Sequence, residues 1–147
     1  MNWRLLNKVV ASIMTISSLY AVAAFAQQAD QTIMDRANGF MDNGAYDQAI
    51  AEFTKVIQAN PGSVNAYSGR ATAYGAKKDY DHAIADYTHI LKMDANKART
   101  YYSRAICYFG KNDFDNSWKD VHTAEKLGYR INPDFIDALK QASGRKE

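Results

Sequence analysis

A 34-residue period restricts this chain more than any other feature. Residues 30–63, 64–97 and 98–131 register without a gap when written above one another. Arg36, Arg70 and Arg104 share a column, each followed by alanine (Ala37, Ala71, Ala105). Phe40, Tyr74 and Tyr108 share another, and Tyr46, Tyr80 and Phe114 a third, each of these last followed by aspartate. Phe53, Tyr87 and Val121 align further on, and the first two units share the string A-I-A-[DE]-[FY]-T. Self-similarity at such a period marks a repeat architecture, in which one supersecondary unit stacks on the next.

Each unit reads as two helices. In the second unit Tyr67, Ala71 and Tyr74 mark one apolar edge, and Ala83, Ile84, Tyr87, Ile90 and Leu91 mark the next. Their spacings of three and four are the helix period. Between them, Asp79 is placed to cap the second helix by accepting an orphan backbone N–H, and Gly44, Lys78 and Asn112 occupy the turn before that cap in the three units. Arms of roughly 12–14 residues follow, an ordinary helix length. After the third unit, Asn132-Pro133 reads as a helix start. Phe135, Ile136 and Leu139 give it an apolar edge, so a helix over about 133–142 is expected to cap the array's last face. Residues 144–147 are expected to fray.

The columns resemble the tetratricopeptide repeat. Tyr67, Ala71, Tyr74, Tyr80, Ala83 and Tyr87 fall on the family pattern in the second unit; Ala37, Phe40, Tyr46, Ala49, Phe53 and the closing Pro61 do so in the first. Ser117 in place of alanine and the missing proline make the third unit the most divergent. The resemblance implies an all-α fold, an α-solenoid of three helical hairpins plus a C-terminal capping helix. It also implies a concave surface lined by the first helix of each hairpin, used to bind a protein or peptide partner. The family's groove positions (second, fifth, ninth, twelfth and thirteenth) fall on Gln31, Met34, Asn38, Met41 and Asp42 in the first unit. They fall on Asn65, Ser68, Thr72, Gly75 and Ala76 in the second, and on Arg99, Tyr102, Ile106, Phe109 and Gly110 in the third. Met34, Met41, Tyr102, Ile106 and Phe109 are then expected as exposed apolar groups, the signature of a partner surface, unless the leading helix or the cap folds over them. One subfamily grips a C-terminal carboxylate through lysine, asparagine and arginine. The corresponding residues here are Met34, Asn38, Gly69, Arg99 and Ser103; only Asn38 and Arg99 match, so that clamp is not expected.

Residues 1–26 read as a separate address. Arg4 and Lys8 are followed by an uncharged apolar stretch over 9–25, and Ala24-Phe25-Ala26 then precedes the polar run Gln27-Gln28-Ala29-Asp30. A basic start, an apolar middle and an A-x-A site together describe a secretory signal peptide. Residues 1–26 are expected to be removed, leaving a domain over 27–147. The layout is of the bacterial kind, so the destination is the periplasm or the medium, with no stable membrane span after cleavage. An uncleaved anchor is the competing reading, but about 17 apolar residues are at the short limit for spanning a bilayer.

Charge and chemistry narrow the function further. The chain has 18 basic and 16 acidic residues; removing Arg4 and Lys8 leaves 16 of each. A neutral body offers no basic patch for phosphates, so nucleic acid is not an expected partner. An acid stands sixteen residues after each aligned arginine: Arg36 with Glu52, Arg70 with Asp86, Arg104 with Asp120. An interhelical ion pair in every hairpin is the expectation. His82, Asp86 and His89 stand at steps a zinc site can use. Asp86 is however already claimed by Arg70, so no metal or other cofactor is expected. The lone Cys107 shares the column of Gly39 and Ala73, a small packed position. No phosphate loop or nucleophile–base set can be assembled from these helices, and the chain is read as a binding scaffold and not an enzyme. The alternatives are a self-associating homo-oligomeric module and an accessory subunit of an envelope enzyme complex.

Overall fold

The computed structural model describes residues 3–145, with side chains at 18, 20, 21, 23 and 24 and from 27 onward. Seven helices appear among them: α1 (Trp3–Asp42), α2 (Tyr46–Ala59), α3 (Val64–Ala76), α4 (Tyr80–Met93), α5 (Ala98–Gly110), α6 (Phe114–Lys126) and α7 (Pro133–Ser143). They pair as three antiparallel hairpins, α1–α2, α3–α4 and α5–α6. Each later first arm packs on the second arm before it, and α7 closes the far end. The fold is thus an α-solenoid of three hairpins and a cap.

The hairpin turns show how the period is written locally. Gly44, Lys78 and Asn112 adopt positive φ of 71°, 63° and 61°, the left-handed conformation that ends a helix. The next residue's N–H returns to a carbonyl five positions back, as in Asp79 to Tyr74 (2.9 Å) and Asp113 to Tyr108 (2.9 Å). Asp79 and Asp113 then cap α4 and α6, accepting from His82 and Asn116 backbone N–H groups. Ala45 holds the same place before α2 without a side chain to do this.

Packing is tight where arms cross. Phe53, Val56, Ile90, Val121 and Leu139 are fully buried. The Phe53 ring lies where a Cβ on Gly69 would come within 2.4 Å, so glycine at 69 permits that approach of α3 to α2. The cap also reaches backward: Leu139 joins Trp118, Val121 and Ile131, and Trp118 Nε1 donates to Ser143 Oγ at 3.1 Å. Gly144 (φ 71°) ends α7, and Arg145 is tied to Asp115. Of the tail expected to fray, residues 146–147 lie outside the described residues.

α1 differs from the simple expectation of a first arm beginning near residue 30. It runs unbroken from Trp3 through the Ala26–Gln27 junction to Asp42. No glycine or proline stands between residues 3 and 38 to stop a helix. No described helix is long and apolar enough to cross a membrane.

Candidate partner-binding groove

The first arms α1, α3 and α5 line one face, and their register decides which side chains are open. Residues at the second and ninth positions are exposed in every unit: Gln31 and Asn38, Asn65 and Thr72, Arg99 and Ile106. Those at the fifth and twelfth are half-buried in every unit: Met34 and Met41, Ser68 and Gly75, Tyr102 and Phe109. The reason is geometric. The fifth and twelfth positions lie at the seam where the next first arm packs.

This corrects the expectation of an exposed apolar groove. Met34 and Met41 pack against the cluster of Ala37, Ala49, Phe53 and Ala73. Tyr102 and Phe109 both meet Phe135 of the cap, with ring centroids 5.5 Å apart in each case, and Tyr102 also meets Tyr129 at 5.3 Å. Among the expected apolar groove residues, Ile106 alone is exposed, at 42%. The open surface is mostly amide and hydroxyl.

Two clefts lie along this face. The first, ≈ 470 Å³, gathers Gln27, Asp30, Gln31, Met34 and Asn38 of α1 with Asn65 and Ser68 of α3, over the Asn60–Ser63 turn. The second, ≈ 310 Å³, gathers Thr72 and Gly75 of α3, Tyr80 and Tyr87 of α4, and Arg99, Ser103, Ile106 and Cys107 of α5. Its floor is polar at one point, where Tyr87 Oη and Thr72 Oγ1 lie 3.1 Å apart. Burial pushes the Tyr87 phenol up, the hydrogen bond with Thr72 opposing it. Burial likewise pushes the Cys107 thiol up to about 11, so the sulfur stays protonated and unreactive. Of the ten expected groove residues, the first cleft holds Met34, Asn38, Asn65 and Ser68, and the second holds Thr72, Arg99 and Ile106. Met41, Tyr102 and Phe109 line neither of these two clefts.

The aligned arginines stand behind the groove, between arms. Arg70 Nε and Nη2 donate to Asp86 Oδ2 and Oδ1, both at 2.8 Å, and Nη1 donates to Thr54 Oγ1 of the preceding hairpin at 3.1 Å. Arg104 repeats this with Asp120 (2.7 and 2.8 Å) and Thr88 (2.9 Å). The hydrogen bond to Asp86 raises the Arg70 pKa. For Arg104, burial disfavours the charge most, and the Asp120 hydrogen bond and carboxylate charge together outweigh it, for a net rise. Arg36 is looser, with Nη1 at 3.8 Å from Glu52 Oε2, while Lys55 holds Glu52 Oε1 at 2.6 Å. A second ladder, missed in the sequence, joins each hairpin to the next hairpin or to the end of the cap: Lys77 with Asp47, Lys111 with Asp81, Arg145 with Asp115, each 30 residues apart. The column of Asp47, Asp81 and Asp115 was visible. Its signal lay in reading that column against the next unit's fourteenth position.

The histidines sit on aromatic rings away from the groove. His89 stacks on Tyr67 (4.3 Å) and His82 on Tyr74 (4.9 Å), with His82 Nδ1 2.8 Å from Asp79. Asp86 is held by Arg70 instead of facing them. Among the described residues, no three His, Cys, Asp or Glu side chains are grouped to hold a metal ion.

A groove on stacked helical hairpins defines a class, the helical-repeat solenoids. The particular member it resembles is the tetratricopeptide-repeat solenoid. The sequence profile of the tetratricopeptide repeat matches residues 34–98, which supports that family. The first TPR of Spaghetti (RPAP3), solved bound to the HSP90 peptide SRMEEVD, superposes with a TM-score of 0.71 at 23% identity, covering 80% of this chain and 92% of that one. The second TPR of the same protein, bound to the same peptide, gives 0.63 at 28% identity over 69% and 97%. The Yersinia enterocolitica type III secretion chaperone SycD, in complex with a peptide of the translocator YopD, gives 0.64 at 20% identity over 78% and 86%. No curated protein matched the sequence.

Proposed function

We propose that this chain is an exported interaction module that binds an extended polypeptide segment along its concave face, in the cell envelope. The observation that carries this reading is the pair of clefts on one face, edged by exposed side chains from all three first arms. Asn38, Asn65 and Thr72 offer donors and acceptors suited to a ligand's main chain. Ile106 adds an apolar foothold and Arg99 a cation beside it. Support comes from the neighbours of like fold, which were solved with peptides bound. Two of those ligands are HSP90 peptides; here the lysines of a carboxylate clamp are absent, so a different peptide chemistry is expected. So short an array buries little partner surface, and binding is expected to be weak to moderate. Export rests on the signal-like 1–26 segment, with cleavage after Ala26.

The test places a photo-crosslinker at Thr72 in the groove and, separately, at Ala85 on the exposed side of α4, in residues 27–147 incubated with envelope extract. A partner labelled from Thr72 and lost in Ile106→Glu supports the reading; equal labelling from Ala85 sinks it.

One observation favours self-association as a second reading. The outward side of the first hairpin resembles an unfilled seam. A methyl at Gly39 would meet nothing within 4 Å among the described residues, whereas Ala73 and Cys107 in the same column are buried on a preceding hairpin. Sedimentation of the wild type against Gly39→Arg would separate the two: a dimer lost in the variant favours this face.

A further inference from the structure

We infer that removal of residues 1–26 makes Gln27 a modification site, where the new N-terminal glutamine closes to a pyroglutamyl lactam at the rim of the first cleft. The inference rests on the export reading above. A cut after Ala24-Phe25-Ala26 leaves Gln27 first, with its carboxamide within reach of its own α-amine. The amine nitrogen attacks Cδ, a C–N bond forms within a five-membered ring, the Cδ–Nε2 bond breaks, and the amide nitrogen leaves as ammonia with the amine's proton. Nothing is oxidised or reduced, and no co-reactant is needed.

The helix gives this step a direction. Uncut, α1 passes through Gln27, whose nitrogen is an ordinary peptide nitrogen and no nucleophile. Cut, the helix begins at Gln27, and a free α-ammonium would stand at the positive end of its dipole. Ring closure removes that charge, much as terminal acetylation does. The same cut brings Asp30 into the first turn, where an acid is favoured; uncut α1 has no acid in its first turn. Gln27 is exposed, so no packing holds its side chain away from the amine.

The position gives the step a consequence for the groove. Gln27 lines the first cleft beside Asp30 and Gln31. A free amine would set a cation against Asp30 at the mouth. The lactam leaves one neutral donor and one neutral acceptor there, in keeping with the amide lining of Asn38 and Asn65.

Intact-mass spectrometry of the full-length gene product, recovered from its native host's envelope, tests this. The expected mass is that of residues 27–147 less about 17 Da, the mass of ammonia lost with the terminal charge. In Gln27→Ser the cut should persist and the deficit disappear. A chain that begins at Gln27 with full mass overturns the modification and leaves the export reading standing. A deficit that survives in Gln27→Ser also overturns it, since ammonia is then lost elsewhere. Recovery of a chain retaining residues 1–26 overturns the processing reading itself.

Discussion

The first hairpin and the two behind it carry the same arginine sixteen residues before an acid, yet they build different things from it. Arg70 and Arg104 are forked onto their aspartates, with side chains 18% and 16% exposed. Arg36 is 52% exposed and stands 3.8 Å from Glu52. The later arginines each have a hairpin in front, which shields the guanidinium and offers Thr54 or Thr88 to its third nitrogen. Among the described residues no hairpin packs in front of the first. Glu52 is also one methylene longer than aspartate, and it turns to Lys55. Its Oε2 is buried without a hydrogen-bond partner among the described residues. An ion pair here belongs to the seam between repeats as much as to the hairpin that encodes it.

That contrast can be broken experimentally. The largest effect is expected from Arg104→Ala or Arg70→Ala, which strands a buried aspartate and should cost about 3–5 kcal/mol by urea titration. Arg36→Ala should cost less than about 1 kcal/mol, because the arginine is exposed and Glu52 keeps Lys55; equal losses at all three sites would erase the distinction. Next come the glycines. Gly69→Ala drives a methyl into the Phe53 ring and should cost about 1–3 kcal/mol. Gly39→Ala, at the open end, should instead stabilise by about 0.5–1 kcal/mol through helix propensity. Ala45→Asp supplies the cap that Asp79 and Asp113 give the other hairpins, at a backbone already close to theirs (φ −84°, ψ 60° against −84°, 69°). About 1 kcal/mol of added stability is expected in thermal melts.

The smallest effect concerns pH. With the folded Cys107 thiol raised to about 11 and an unfolded value of about 8.5, the neutral sulfur's contribution is complete below the unfolded value. It is lost as pH rises toward the folded one. Native Cys107 should therefore resist thiol reagents at neutral pH and react readily in urea; rapid native labelling would contradict its burial.

Much of the fold was legible because the period repeats every constraint three times. The arm lengths, the Asp79 cap, the turn column of Gly44, Lys78 and Asn112, and the capping helix all follow from local rules. The groove was legible only in part. Family positions named the right face, but whether Met34 or Asn38 is open depends on how closely the next arm approaches, and no single-helix pattern carries that distance. For Tyr102 and Phe109 the sequence left coverage by the cap open, and what meets them is Phe135, an aromatic in α7 some thirty positions downstream. The second ladder escaped because its partners sit in different units.

The Arg70 and Arg104 clamps each hold three helices, their own two and the second arm of the hairpin before. Under tension applied at the ends, a hairpin so latched cannot peel off without tearing its neighbour's bond. The first hairpin is latched to the array only from behind, and its own clasp hangs half open. A single molecule stretched in an optical trap should therefore yield first at α1–α2 in one small step. The two clasped hairpins and the cap should follow together in a larger rupture, with the Arg99 end of the groove intact until then.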